Sequence, residues 1–206
     1  MKALLIGIAA AVGLGVLLVS SSSKTQGKGA KKVLAVGDSF TAGPYPKLLE
    51  AILPEGSSVT AMGYSGQGAA VIHEKASSAL NSGDYDVIVI LAGVNDLASN
   101  RGATVAYINL AKMYAEAMAA GAVVVAVEVL PWGGTEYGAK RLTETAELNR
   151  LIQQSDNVDF VVDTQSMGDG MGRLLKKYDS GAGLHLNRAG NEKLAELVAA
   201  AVGQEI

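Results

Sequence analysis

The chain has 206 residues, of which 49% are hydrophobic and 18% are charged, enough for one domain with a sizeable core. Its formal net charge of -3 argues against a nucleic-acid partner, because binding to phosphates requires a basic surface. The lack of cysteine excludes disulfides, thiolate metal sites and cysteine nucleophiles. Two histidines, His73 and His185, are too few for a histidine-rich metal cluster.

The first residues form a segment of their own. Residues 3–19 are an uninterrupted run of apolar residues and glycine, which at roughly 17 residues is at the short limit for a membrane-spanning helix. We therefore expect residues 1–22 to be a hydrophobic membrane anchor helix or an uncleaved signal segment, followed by a Ser/Gly/Lys linker over 23–31. Lysines lie on both sides of the run and leave the side of the membrane open, with the cell envelope favoured.

After the linker, short apolar runs alternate with amphipathic stretches. The runs are rich in valine and isoleucine and nearly continuous, as expected of strands buried on both faces of a parallel sheet. Five strands are predicted, at Val33–Val36, Val59–Met62, Val87–Leu91, Val123–Leu130 and Val158–Val162.

The stretches between the strands have helical spacing of their apolar residues. Five helices are predicted, at Tyr45–Leu53, Ala69–Asn81, Thr104–Ala120, Lys140–Gln154 and Asn187–Val202. This alternation predicts that residues 32–206 form one α/β domain, a three-layer α/β/α arrangement around a five-stranded parallel sheet. The one long irregular segment covers residues 163–183, and a loop of that length in a compact domain is often functional.

Polar segments follow several of the predicted strands. In parallel α/β sheets, ligands bind beyond the carboxyl ends of the strands, where an enzyme of this class keeps its nucleophile. Each segment has a plain structural explanation, as a helix cap or a turn, but four together favour a catalytic site. The segments are Gly37-Asp38-Ser39-Phe40, Tyr64-Ser65-Gly66-Gln67, Gly93-Val94-Asn95-Asp96 and Gly183-Leu184-His185-Leu186-Asn187.

These four blocks resemble those of the SGNH hydrolases, also called the GDSL esterase/lipase family. The resemblance runs from Lys32 to about Val202 and implies the flavodoxin-like fold of that family and a serine esterase without a cofactor or metal. It implies that Ser39 is the nucleophile and that the oxyanion donors are the backbone N–H groups of Ser39 and Gly66 and the side-chain amide of Asn95. His185 is the one credible base, because an imidazole titrates near neutral pH.

The chain departs from the family next to this histidine. Members usually carry an aspartate three residues before it, and that position is Ala182. Three alternatives stay open: Asp179 replaces the missing acid, a backbone carbonyl orients the imidazole in a Ser-His dyad, or the enzyme is weakened or inactive. Loss of the orienting carboxylate costs about 10⁴ in rate in a serine protease.

The leading hypothesis is a membrane-tethered serine esterase that hydrolyses acyl esters, O-acetyl esters among them, of cell-envelope glycans or lipids. The competing hypothesis, motivated by Ala182, is an inactive binding or structural protein with the same fold. Two polar residues receive structural roles: Asp38 as a turn-former and His73 as a surface or satisfied histidine. Trp132 and Tyr137 either line an acyl or sugar pocket or pack in the core.

Overall fold

The computed structural model describes residues 29–133 and 138–204. The predicted anchor over 1–22, most of the predicted linker over 23–31, and Tyr137 lie outside the described residues. No helix within the described ranges has the length and apolar character that crossing a membrane requires.

One parallel sheet of five strands forms the centre of the domain, with the strand order β2-β1-β3-β4-β5. This confirms the predicted five-stranded parallel sheet. Val33 of β1 lies opposite Val59 of β2 on one side and Val87 of β3 on the other. The strands are β1 (Lys32–Gly37), β2 (Ser58–Gly63), β3 (Val87–Leu91), β4 (Val123–Val127) and β5 (Phe160–Val162).

The described residues form six α-helices, and five of them cover the two faces of the sheet. Helices α1 and α6 pack against each other on one face, and α2, α4 and α5 cover the other, as right-handed crossovers require for this strand order. The three-layer arrangement is therefore the predicted one. The helices are α1 (Tyr45–Ile52), α2 (Ala69–Leu80), α3 (Val94–Ala98), α4 (Ala103–Ala119), α5 (Gly138–Gln153) and α6 (Arg188–Val202).

The structure corrects three details of the predicted elements. Strand β2 is an edge strand whose residues are exposed or half-buried, so the expected burial on both faces is wrong there. Strand β4 ends at Val127 and not at Leu130: the Glu128 N–H still donates to the Val162 carbonyl at 3.1 Å, but the next N–H, that of Val129, donates to Asn149 Oδ1 at 2.9 Å. The short helix α3 was not predicted; at five residues it is too brief to show a helical period.

The point where β1 meets its following turn is sterically demanding. A Cβ atom on Gly37 would lie 2.2 Å from the Leu91 carbonyl oxygen and 2.3 Å from Thr41 Oγ1, so only glycine fits. The chain consequently turns tightly over the end of β3, with the Asp38 N–H donating to the Leu91 carbonyl at 3.3 Å. This turn carries Ser39 to the carboxyl end of the sheet, where the direction of the crossovers reverses and α/β proteins bind ligands.

Candidate active site

Ser39 lies half-buried in the turn that follows β1. The turn is fixed on both sides of the serine: the Phe40 N–H donates to Asp38 Oδ1 at 3.0 Å, and the Ala42 N–H donates to the Asp38 carbonyl at 3.0 Å. Asp38 thus shapes the turn, as the sequence predicted. Because the backbone around Ser39 is held by these bonds, its hydroxyl group has a defined direction.

His185 approaches this hydroxyl from the loop that precedes α6. Its Nε2 atom lies 3.2 Å from Ser39 Oγ, although the two residues are 146 positions apart in the chain. The imidazole is exposed, and its centroid lies 6.3 Å from that of the Phe40 ring, within the usual range for an aromatic pair. A nucleophile and a base at this separation can exchange a proton directly.

Gly66 lies in the turn after β2. The Gln67 N–H donates to the Tyr64 carbonyl at 3.1 Å and closes the turn, with Gly66 at a φ of 73°, a value that glycine adopts without strain. A Cβ atom on Gly66 would meet nothing within 4 Å, so this part of the backbone faces open space. A substrate oxygen can therefore approach the turn closely.

Asn95 lies in the short helix α3, beside the Gly66 turn. Its Nδ2 donates to the Gln67 carbonyl at 3.0 Å. Since a side-chain amide has two N–H donors, this bond orients the group and leaves the second donor for a ligand. The structure thus places the amide of Asn95 and the Gly66 turn next to each other.

Asp96 ties α3 to the start of α2; from the sequence it had only a plain structural explanation, as part of a helix cap or a turn. Its carboxylate is 1% exposed; Oδ2 accepts the Ala69 N–H at 2.8 Å and Oδ1 lies 3.4 Å from Arg101 Nη1. Ala69 is the first residue of α2, whose own cap position, Gly68, supplies no side-chain acceptor. Asp96 therefore satisfies a free helix N–H from another element. The missing acceptor at Gly68 was the one signal in the sequence that pointed to such a partner.

The Asp38 carboxyl is fully buried beneath the turn that carries Ser39. Burial away from water raises its pKa to about 7; the bond from the Phe40 N–H opposes this rise, and the nearby charge of Asp96 adds to it. Its Oδ2 atom has no hydrogen-bond partner in the described part of the chain. An ionised carboxylate is unfavourable in such surroundings, so this group holds its proton well above the pH at which an exposed aspartate loses it.

Among the residues that the structure describes, no carboxylate bonds to the imidazole. Within residues 29–133 and 138–204, neither an acidic side chain nor a backbone carbonyl hydrogen-bonds to the His185 ring. Asp179 lies in the same loop, but its Oδ1 accepts the N–H groups of Gly181 and Gly183, both at 2.9 Å. Within the described residues, neither of the first two alternatives for the missing acid at Ala182 is therefore the arrangement seen, and the third, a weakened or inactive enzyme, stays a prediction.

Two other candidates from the sequence have structural roles. His73 Nε2 is 2.8 Å from Glu116 Oε1, between α2 and α4, and is thus the satisfied histidine that was predicted. Trp132 is 1% exposed and its Nε1 donates to Thr145 Oγ1 at 3.0 Å, so it packs in the core. The described residues contain no group of three or more histidine and acidic side chains that could hold a metal ion.

Comparisons with solved structures agree with this fold. A lipase/acylhydrolase from Enterococcus faecalis has 21% identity and a TM-score of 0.72, over 84% of this chain and 95% of the other. A GDSL-like lipase from Bacteroides thetaiotaomicron has 22% identity and a TM-score of 0.69, over 84% and 87% of the two chains. An acetyl esterase mutant with an acetate ion has 18% identity and a TM-score of 0.62, over 83% and 95%.

A comparison with curated protein sequences gives no significant match. The sequence profile of the GDSL-like lipase/acylhydrolase family, by contrast, matches residues 35–193. That stretch contains all four blocks and both members of the Ser39–His185 pair. The chain belongs to the GDSL-like lipase/acylhydrolase family and is a serine hydrolase that acts on ester bonds.

Proposed function

We propose that this chain is a serine esterase that removes acyl groups from cell-envelope glycans or lipids through a covalent acyl-enzyme formed on Ser39. The observation that carries the proposal is the 3.2 Å separation between Ser39 Oγ and His185 Nε2. The open backbone at Gly66 and the oriented amide of Asn95 support it, because both lie at the same end of the sheet.

In the first half of the reaction, Ser39 Oγ attacks the carbonyl carbon of the ester while His185 Nε2 takes the hydroxyl proton. The carbonyl oxygen becomes an oxyanion, to which the N–H groups of Ser39, Gly66 and the Asn95 amide donate. One such donor contributes about 2.7–4 kcal/mol of transition-state stabilisation. The tetrahedral intermediate then collapses, the bond to the alcohol oxygen breaks, and the imidazolium returns its proton to that oxygen.

In the second half, water replaces the alcohol. His185 takes a proton from the water, whose oxygen attacks the acyl carbon and forms a second oxyanion in the same place. When this intermediate collapses, the bond to Ser39 Oγ breaks and the imidazolium gives its proton to the serine. The products are a carboxylic acid and the regenerated Ser39–His185 pair, so no co-reactant besides water is consumed.

The envelope substrate and the membrane tether through residues 3–19 are the finer parts of the proposal. The apolar run and the lysines after it support a tether, which would hold the domain close to envelope glycans and lipids. Structural similarity to an acetyl esterase supports a small acyl group. A substrate series that varies only the acyl chain length separates acetyl from fatty-acyl preference.

The test is hydrolysis of p-nitrophenyl acetate and longer acyl homologues by the full chain, together with labelling by a fluorophosphonate. We expect turnover and a single label on Ser39, and we expect Ser39→Ala to lose both. A folded protein that neither turns over any chain length nor accepts the label would contradict the proposal. That result would favour the inactive binding or structural protein that the missing acid at Ala182 also permits.

A further inference from the structure

The loop that carries His185 is closed on itself by the Asp179 side chain. Oδ1 of Asp179 accepts the N–H groups of the residues two and four positions later, Gly181 and Gly183, each at 2.9 Å. These are two charge-assisted bonds to a short run of backbone that is otherwise rich in glycine and exposed. Asp179 is thus the acceptor around which this loop is folded.

The same loop is tied together at its base. The Ser180 N–H donates to the His185 carbonyl at 2.9 Å, and the Asn187 N–H donates to the Tyr178 carbonyl at 2.8 Å. The Asn187 side chain adds a bond from Nδ2 to the Asp179 carbonyl at 3.1 Å. The backbone of His185 is therefore hydrogen-bonded to Ser180, and the direction of the His185 side chain depends on how residues 179–186 are folded.

We infer that Asp179 is a positioning residue for His185, which it holds in line with Ser39 by folding the backbone of residues 179–186 and without contacting the imidazole. The inference rests on the proposed function and deepens it, since it names what compensates for Ala182. What the loop requires from residue 179 is an acceptor oxygen in this place; it does not require a negative charge next to the histidine.

The catalytic consequence follows from geometry. The two glycines of the loop, Gly181 and Gly183, have φ values of 113° and 69°. The Gly183 carbonyl also accepts the Gly133 N–H, so loss of the Asp179 acceptor frees mainly the backbone around Gly181, where glycine has many alternative conformations. A misplacement of a catalytic group by about 1 Å costs about 10²-fold in rate. Loss of the acceptor should therefore lower kcat and leave substrate binding largely unaffected.

A neighbouring loop provides a matched control. Oδ1 of Asp169 accepts the N–H groups of Met171 at 2.8 Å and Arg173 at 3.1 Å, again two and four residues later. Its Oδ2 also pairs with Arg173 Nε at 3.1 Å. Asp169 and Asp179 thus make the same local contact, but only the loop of Asp179 carries the histidine.

The experiment compares Asp179→Asn, Asp179→Ala and Asp169→Ala in the full chain, with p-nitrophenyl acetate as substrate. An asparagine keeps an acceptor oxygen and lacks the charge, so Asp179→Asn should retain kcat within about threefold and keep the pH midpoint of the acid limb of kcat/KM. Asp179→Ala should lower kcat by about 10- to 100-fold with little change in KM. Asp169→Ala should resemble the unaltered protein.

Three results would overturn the inference. A loss in Asp179→Asn as deep as in Asp179→Ala, or a displaced acid limb, would mean that the charge of Asp179 acts on the histidine. Unchanged kcat in Asp179→Ala would mean that the loop does not need its acceptor. An equal loss in Asp169→Ala would mean that any such loop disturbs the site.

Hydrogen exchange on the same proteins keeps this inference separate from the proposed function. Faster exchange of the peptide that covers residues 179–186 in Asp179→Ala, but not in Asp179→Asn, supports the positioning role even if the unaltered protein turns over no ester. Equal exchange in all the variants would overturn that role. Absence of both turnover and label in the unaltered protein would contradict only the proposed function.

Discussion

The two sides of the candidate site are held in different ways. The oxyanion side is the side of the proposed donors Gly66 and Asn95. There the buried Asp96 bonds to α2 and to Arg101, and Asn95 bonds to the Gly66 turn, so separate elements brace one another. On the histidine side, the exposed loop of His185 is closed by its own Asp179 and by bonds at its base. Both sides use a carboxylate to fix backbone N–H groups, but one does so across the fold and the other within a single loop.

This difference separates two kinds of sensitivity. A brace between elements is buried and contributes to the stability of the whole domain, because its loss leaves donors without partners in the interior. A local loop acceptor is partly hydrated, and its loss is felt mainly by the groups that the loop carries. We therefore expect changes on the oxyanion side to affect stability and rate together, and changes on the histidine side to affect rate alone.

The largest expected effect concerns Asp38, whose carboxyl is buried beneath the turn that carries Ser39. The pKa of Asp38 is raised from 3.8 to about 7 by burial, a difference that corresponds to about 4 kcal/mol. The folded protein binds this proton more tightly than the unfolded chain does. The stabilisation that the protonated Asp38 carboxyl gives the fold is therefore complete below about pH 4 and is lost as the pH rises through about 7.

Asp38→Asn tests this contribution, because asparagine keeps an acceptor for the Phe40 N–H and does not ionise. Between pH 3 and pH 8 the unaltered protein should lose about 4 kcal/mol of unfolding free energy that Asp38→Asn does not lose, so the difference between the two shifts in favour of the variant. Denaturant unfolding at several pH values measures it. An identical pH dependence in both proteins would show that this carboxyl ionises normally in the fold.

The next effect concerns Asn95, the proposed oxyanion donor on the braced side. Asn95→Ala removes a side-chain amide whose orientation is set by its bond to the Gln67 carbonyl, and we expect kcat to fall by about 10²- to 10³-fold, or about 2.7–4 kcal/mol. Fluorophosphonate labelling of Ser39 should slow as well, because the phosphoryl oxygen uses the same donors. Asn109→Ala, which changes a half-buried asparagine of α4 whose Nδ2 donates to the Val105 carbonyl, is the control. Unaltered kcat in Asn95→Ala would exclude it as a donor.

A smaller effect is expected at the brace itself. Asp96→Ala leaves the buried Ala69 N–H without its acceptor, which should cost about 1–3 kcal/mol of stability and also lower kcat, since the Gly66 turn and Asn95 lose a link. Thermal unfolding and kcat are measured together. Arg101→Ala removes the half-exposed partner of the buried Asp96 carboxylate but keeps the Ala69 bond, so it should change both quantities less than Asp96→Ala does. A change in Asp96→Ala confined to stability would mean that the brace has no catalytic role.

The sequence predicted the parts of this molecule that are encoded locally. Ser39 and His185 were found because short blocks at the strand ends carry them, and the sheet because its central strands are continuous apolar runs. The brace of Asp96 was missed, since its partner Ala69 lies 27 residues away and the one local signal is the cap position Gly68, which has no side-chain acceptor. Asp179 stayed one of three open alternatives for the missing acid, because spacing alone does not tell whether a carboxylate faces an imidazole or the backbone of its own loop.

The smallest expected effect comes from placing a carboxylate near the His185 imidazole, to which no carboxylate bonds among the described residues. In Ala182→Asp, an acid stands at the position where the family usually has one, and we expect kcat to rise by about tenfold, because a carboxylate beside the imidazole stabilises its protonated form. The full gain of about 10⁴ is not expected, since the loop is already folded around Asp179. Ala182→Asn has the same size without the charge and should show no rise. An equal rise in both, or a fall in Ala182→Asp alone, would mean that residue 182 acts on the loop backbone instead of the imidazole.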